Sequence, residues 1–272
     1  MVVGSARSGT NWLAHLIASQ FHSRIMFEPF NPILVQEFSK FNYFQYMRPD
    51  ELDQDLYNFC HNVFTGNIRN AWIDREIHHL YPQGRVIKCI RSGLMLKWID
   101  IQFPQVPKYF IIRHPCAVVL SRMNLQWATD GDIRHFLCQP TLMSDFLNDK
   151  IDVIAKAQTD EQKHAIIWCI TNLVPLQQFI DKDSNLVKYE NLVQFPEVEI
   201  PKLFNGLGVS YNESIFDKYK QPSSTSTHTS AILSGTKLID HWKNELSKQQ
   251  IDNILGIVDQ FGLTWVYENK TE

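Results

Sequence analysis

The sequence predicts an α/β fold in three layers, a mainly parallel central sheet flanked by helices. Three observations carry that expectation. Short apolar runs at residues 1–3, 24–27, 85–90, 108–112 and 185–188 alternate with longer stretches of helical periodicity, the pattern of strands joined by helical crossovers. Apolar residues dominate these runs and their charges sit mostly at the ends, as suits strands covered on both faces. Nearly every run stops at a charged or polar group: Gly4 with its loop, Glu28, Lys88 with Arg91, Arg113, Tyr189. In a parallel sheet the ligand lies beyond the carboxyl ends of the strands, so these residues are the candidate site.

The first run halts at Gly4. A compact loop, Ser5-Ala6-Arg7-Ser8-Gly9, follows, and Trp12, Leu13, Leu16, Ile17 and Phe21 then recur on one face of a helix. Strand, glycine-bounded loop and helix form an anion cradle, because loop N–H groups and the first helical turn's N–H groups converge on one point. Gly4 and Gly9 permit the positive φ angles and close backbone approach that a phosphate-sized ligand demands. The spacing Gly4-x4-Gly9 opens like a P-loop and makes the expected fold P-loop NTPase-like. Thr10 and Asn11, however, occupy the places of the usual Lys-Ser/Thr pair, and the basic residue, Arg7, lies inside the loop.

Further along, residues 33–61 read as helical but irregular and rich in aromatics. A helix is expected over 115–127, with Pro115 in its first turn, and a long one over 159–180. Another runs over 196–206, closed by glycine. Residues 221–236 are Ser/Thr-rich with little apolar content and read as a mobile loop, before Trp242 and an amphipathic helix over 246–261.

At 272 residues and 44% apolar content the chain suits a single domain over 1–272 with a sizeable core. A net charge of −3 argues against general nucleic-acid or membrane-surface binding, so any basic site is local. Five scattered cysteines without CxxC spacing point to reduced thiols in the cytoplasm. No apolar run is long enough to span a membrane. His78-His79 and the other histidines lack metal-ligand spacing, and no Gly-x-Ser-x-Gly elbow occurs.

Arg7-Ser8-Gly9-Thr10-Asn11-Trp12 resembles the phosphosulfate-binding loop of sulfotransferases that use 3′-phosphoadenosine 5′-phosphosulfate (PAPS). Arg113-His114-Pro115 with Ser121, eight positions after the arginine, is similar to their 3′-phosphate grip. Met26-Phe27-Glu28-Pro29-Phe30 resembles the segment of carbohydrate-type and bacterial members whose Glu is the proposed base. In the strand around Lys88, Ile90 stands where the cytosolic phenol enzymes place a catalytic His, which favours the carbohydrate-type arrangement. Tyr189-Glu190-Asn191-Leu192 is similar to a family segment shaping the nucleotide pocket, with Asn191 replacing Asp. His241-Trp242-Lys243 resembles the region that folds over the nucleotide.

The resemblance implies sulfuryl transfer from PAPS to a hydroxyl, or an amine, of a small-molecule or carbohydrate acceptor, releasing PAP. Ser5, Ala6, Arg7, Ser8, Gly9, Thr10, Asn11, Trp12, Arg113, Ser121 and Tyr189 would hold the nucleotide. Glu28, Arg7 and Lys88 would be catalytic, and no metal is expected. Trp12 either stacks on adenine or packs, and Glu28 either takes a proton or caps the Pro29 turn. A P-loop-type kinase and a PAP-binding protein without turnover are the alternatives.

Overall fold

The computed structural model describes residues 1–21, 23–76, 82–180, 185–219 and 239–267. Five strands, β1 (Val2–Gly4), β2 (Ser23–Phe27), β3 (Gly84–Cys89), β4 (Tyr109–Ile112) and β5 (Leu186–Lys188), form one sheet. Their order is β2-β3-β1-β4-β5 and every pairing is parallel. The shortest sequence run thus lies at the centre. Val2 pairs with Lys88 on one side and Tyr109 on the other, and Gly4 pairs with Ile111.

Alternation of side chains along a strand divides the interior in two. Val2, Val86, Tyr109 and Ile111 face one cluster. It is covered by α1 (Thr10–Ala18), and two helices that follow the last strand share the same apolar cluster. Val3, Ile87, Phe110 and Ile112 face the other. That side holds α2 (Gln54–Thr65), α3 (Leu96–Gln102), α4 (Pro115–Asn124), α5 (Asp130–Leu137) and α6 (Asp160–Gln178). Helices after β5 include α7 (Tyr189–Gln194) and α8 (Pro196–Leu207) on the first face and α9 (Lys248–Gln260) on the second. The three-layer α/β expectation holds. Residues 165–176 of α6 are all buried, so this helix is apolar all round and forms the middle of the larger core.

Three expectations are corrected. Residues 33–61 are helical only in a 3₁₀ turn at Gln36–Phe38 and in α2. Asn31 folds its side chain onto the N–H groups of Ile33 and Leu34, an Asx turn that stops a helix from starting there. The aromatics Phe38, Phe44 and Tyr46 are core residues carried on turns. The α2 helix begins only where the Asp53 carboxylate caps the N–H of Leu56 at 2.9 Å. The second correction concerns α8, which runs past Gly206 and closes at Gly208, φ 66°. Gly206 is needed for closeness instead, since a Cβ there would lie 2.3 Å from the Tyr109 hydroxyl. Finally, α4 ends at Asn124, with a turn at Gln126 (φ 53°) before Trp127. The expected loop over 221–236 and the pair His78-His79 lie outside the described residues.

Candidate active site

The donor-side loop leaves the centre of the sheet. A Cβ on Gly4 would fall 2.3 Å from the Ile111 carbonyl, so only glycine lets β1 deliver its loop this close to β4. The loop closes with the Ser8 N–H bonded to the Ser5 carbonyl at 3.1 Å. Arg7 takes a left-handed conformation at φ 72°, a strained choice for a non-glycine residue and typical of functional turns. Gly9, at φ 95°, is the N-cap of α1 and carries no side chain to cap it. First-turn N–H groups have no intrahelical acceptors, so the turn presents donors and the positive end of its dipole to an anion. The Ser8 hydroxyl is buried without a hydrogen-bond partner among the described residues. Ser5, Thr10 and Asn11 are buried, and Ala6 is partly exposed.

Two elements converge on Arg7. Its Nε donates to the Ser121 hydroxyl at 2.9 Å, and Arg113 Nη1 donates to the Arg7 carbonyl at 3.3 Å. Arg113 follows β4 and Ser121 sits in the second turn of α4, so the strand-to-helix turn at His114-Pro115 sets their separation. The Arg113 guanidinium lies 4.5 Å from the centre of the Tyr189 ring, a cation–π contact. That ring also lies against Gly9, where a Cβ would meet it at 2.6 Å. Burial and then the nearby Arg113 charge hold Arg7 below the usual arginine pKa, and burial raises that of Tyr189. The sequence-predicted Arg7, Ser121, Arg113 and Tyr189 are therefore one cluster.

Trp12 is 3% exposed. Its indole N–H donates to the Tyr219 carbonyl at 3.2 Å, and Tyr189 and Tyr219 pack on its ring. It packs here rather than offering a face to solvent. Trp242 stacks on His114, with ring centres 4.4 Å apart, which brings the segment after the undescribed 220–238 stretch to the Arg113 turn.

Glu28 occupies the same edge of the sheet, at the end of β2. It is 1% exposed and, at φ 50°, is also left-handed. One carboxylate oxygen accepts from Lys88 Nζ at 2.6 Å. The other accepts from Arg91 Nη1 at 3.0 Å and the Ile90 N–H at 3.2 Å. Arg91 continues to the Tyr43 hydroxyl and lies over the Tyr43 ring. Burial opposes its charge, but Glu28 and Tyr43 outweigh it and raise the Arg91 pKa. Tyr43 in turn stacks on His135 at 5.0 Å. Two cations thus neutralise the carboxylate, which removes the electrostatic oddity of an acid beside an anion cradle. Among the described residues no group of three His, Cys, Asp or Glu side chains is disposed to hold a metal ion, and no helix is long and apolar enough to cross a membrane.

A profile of the sulfotransferase family matches residues 1–213. The chain belongs to that family. The match takes in the loop, Glu28, Lys88, Arg113, Ser121 and Tyr189. Nodulation protein NoeE of Sinorhizobium fredii (strain NBRC 101917 / NGR234) is 23% identical over 278 aligned positions, covering 94% of this chain and 62% of the relative. The chain therefore spans less than two thirds of that protein's length. Among solved structures, a sulfotransferase domain from the curacin biosynthetic pathway superposes with a TM-score of 0.52 at 16% identity, covering 96% of both chains. A sulfotransferase domain from the Synechococcus PCC 7002 olefin synthase gives 0.50 at 17%, covering 96% of this chain and 93% of that one. At such identities these two likenesses establish the fold.

Sequence reasoning missed Arg122. It is 3% exposed on the inner face of α4 and donates from Nη2 to the Ser5 hydroxyl at 3.0 Å and the Ala6 carbonyl at 3.4 Å. The signal was there to read: the helical spacing from Pro115 through Val118 and Val119 arrives at 122, a core position, and finds an arginine. Glu190 was passed over as part of a segment. Its half-buried carboxylate accepts the His114 N–H at 2.8 Å and fixes the Arg113 turn.

Proposed function

We propose that this sulfotransferase moves a sulfuryl group from PAPS to a hydroxyl, or an amine, of a small-molecule or carbohydrate acceptor and releases PAP. The observation that carries the reading is the junction of Arg7, Ser121 and Arg113 at the mouth of an uncapped, glycine-started helix. One end of that junction suits a 5′-phosphosulfate; the other suits the second, 3′-phosphate that distinguishes PAPS from ATP. The unpartnered Ser8 hydroxyl and the uncapped first-turn N–H groups that follow Gly9 fit a tetrahedral anion against the loop.

PAPS supplies an activated sulfuryl group on a phosphate leaving group. N–H groups of residues 7–10 hold the phosphosulfate. Arg113 offers a two-pronged donor and Ser121 a hydroxyl to the 3′-phosphate. Ser5, Ala6, Thr10 and Asn11 shape the cradle, with Trp12 and Tyr189 as its packed wall. Glu28 takes the acceptor's proton. A carboxylate has about four lone-pair sites, so Lys88, Arg91 and the Ile90 N–H leave one for that hydroxyl. Arg7 and Lys88 stabilise charge on the leaving phosphate, an effect of about 3–4 kcal/mol per well-placed donor. A sulfuryl group carries less charge than a phosphoryl group, and these cations serve without a metal. Reduced cysteines, all five unpaired, favour a cytoplasmic setting.

Calorimetric titration tests the donor. PAP should bind well ahead of ATP and ADP; equal affinity for ADP and PAP would remove the 3′-phosphate assignment and the reading with it.

A further inference from the structure

Arg122 is the buried cation that the mechanism above leaves unused. Its guanidinium is almost wholly enclosed. Nη2 bonds to Ser5 and Ala6 on the underside of the loop, while Nε and Nη1 have no hydrogen-bond partner among the described residues. Buried polar groups are almost always paired, and an orphan asks for a reason. Its charged surroundings deepen the question. Arg7 sits close enough to repel it, and among the described residues the one carboxylate in electrostatic reach is Asp132 on α5, a partly exposed group. Asp132 makes no hydrogen bond or ion pair with any described residue, and it faces Arg91 and His135 as well. On α6, the buried His164 lies within reach of Arg122 and is held neutral by burial and that charge, so it supplies no compensation. Arg122 therefore adds a third positive charge to the loop that Arg7 and Arg113 already flank, and none of its own hydrogen bonds to described residues is to a carboxylate. An uncompensated buried cation carries a desolvation cost that two hydrogen bonds to a loop repay only in part.

We infer that Arg122 is a positioning residue for the donor anion. From beneath the loop it fixes the Ser5–Ala6 backbone, and its incompletely compensated charge is balanced by the phosphosulfate bound above. The inference rests on the PAPS reading for the identity of the anion, not for the charge balance. Asp132 is then a weak counter-charge that the anion competes with.

Three variants separate charge from packing: Arg122→Gln, which keeps a donor for Ser5 and Ala6 but no charge; Arg122→Lys, which keeps the charge; and Asp132→Asn. PAP affinity is titrated at low and high ionic strength, and melting temperature is measured without ligand. For R122Q we expect PAP binding weaker by roughly tenfold or more, as for a lost charge-assisted contact, with a flatter salt dependence. Its ligand-free melting temperature should hold or rise. R122K should fall between R122Q and wild type, and D132N should bind PAP more tightly. Wild-type PAP affinity in R122Q overturns the inference. So does an equal loss of ligand-free stability in R122Q and R122K, which would mark a purely structural arginine. If R122Q does not fold, D132N decides: PAP affinity unchanged at low salt overturns the proposal. If wild type ignores PAP, the donor reading fails on its own. Inorganic pyrophosphate then becomes the probe, and stabilisation by it that R122Q abolishes keeps the Arg122 role, while no such difference ends it.

Discussion

Replacing Glu28 should cost more stability than replacing its lysine partner, and the structure says why. The Lys88 and Arg91 side chains are 7% and 10% exposed, and the Glu28 side chain 1%. In Glu28→Gln two buried cations lose their shared counter-charge. Stranding a buried charge costs about 3–5 kcal/mol, and the retained amide oxygen places this variant near the lower figure. In Lys88→Met the carboxylate keeps Arg91 at 3.0 Å and the Ile90 N–H at 3.2 Å. The loss is then closer to a single charged hydrogen bond, about 1–3 kcal/mol. The double variant should lose less than the sum, since the second change removes a partner already stranded. Urea unfolding at neutral pH, with the three variants compared at a common slope, measures all of this. If K88M proves costlier than E28Q, or the effects add, the carboxylate is not the hub of this cluster.

In activity assays E28Q should lose sulfuryl transfer while still binding PAP, and full turnover would dismiss Glu28 as base. Ser121→Ala should weaken PAP roughly tenfold and ADP far less, read by titration with both nucleotides. Gly9→Ala combines a positive φ with a Cβ 2.6 Å from the Tyr189 ring. A loss of about 2–4 kcal/mol is expected from backbone and overpacking terms together, seen as a lower urea midpoint. Burial lowers the His164 pKa to about 4, so below its usual value near 6.5 the unfolded chain binds the proton and the folded one does not. Stability from this group is full above pH 6.5 and drains as pH falls toward 4, at up to about 1.4 kcal/mol per pH unit. His164→Gln should be less steep than wild type over that window when urea midpoints are plotted against pH.

The strands were legible because each is a short apolar run that ends abruptly at a polar residue, and both strand faces are covered. The donor-side cluster was legible for a related reason: Gly4, Arg7, Gly9 and Arg113 stand at strand ends, where parallel topology gathers distant segments. What sequence alone could not show was how neighbouring side chains satisfy one another. Glu28 looked like a lone acid beside a phosphate site, and its two cations lie on the neighbouring strand β3 and the turn that follows it. Residues 33–61 misled because aromatic spacing on turns imitates a helical stripe, and a single Asn31 side chain breaks the start. Trp12 was ambiguous because its wall, Tyr189 and Tyr219, is far away in the chain.

Only three residues of β1 separate the two interiors, with Val2 committed to one and Val3 to the other. Inserting or deleting one residue here would exchange those commitments and turn every later group in the loop by half a pleat. The phase of this strand is thus a hidden ruler for the whole amino-terminal segment. Single-residue length changes should be tolerated at the far ends of β2 or β5, on the sheet's two outer edges, long before they are tolerated between positions 2 and 4.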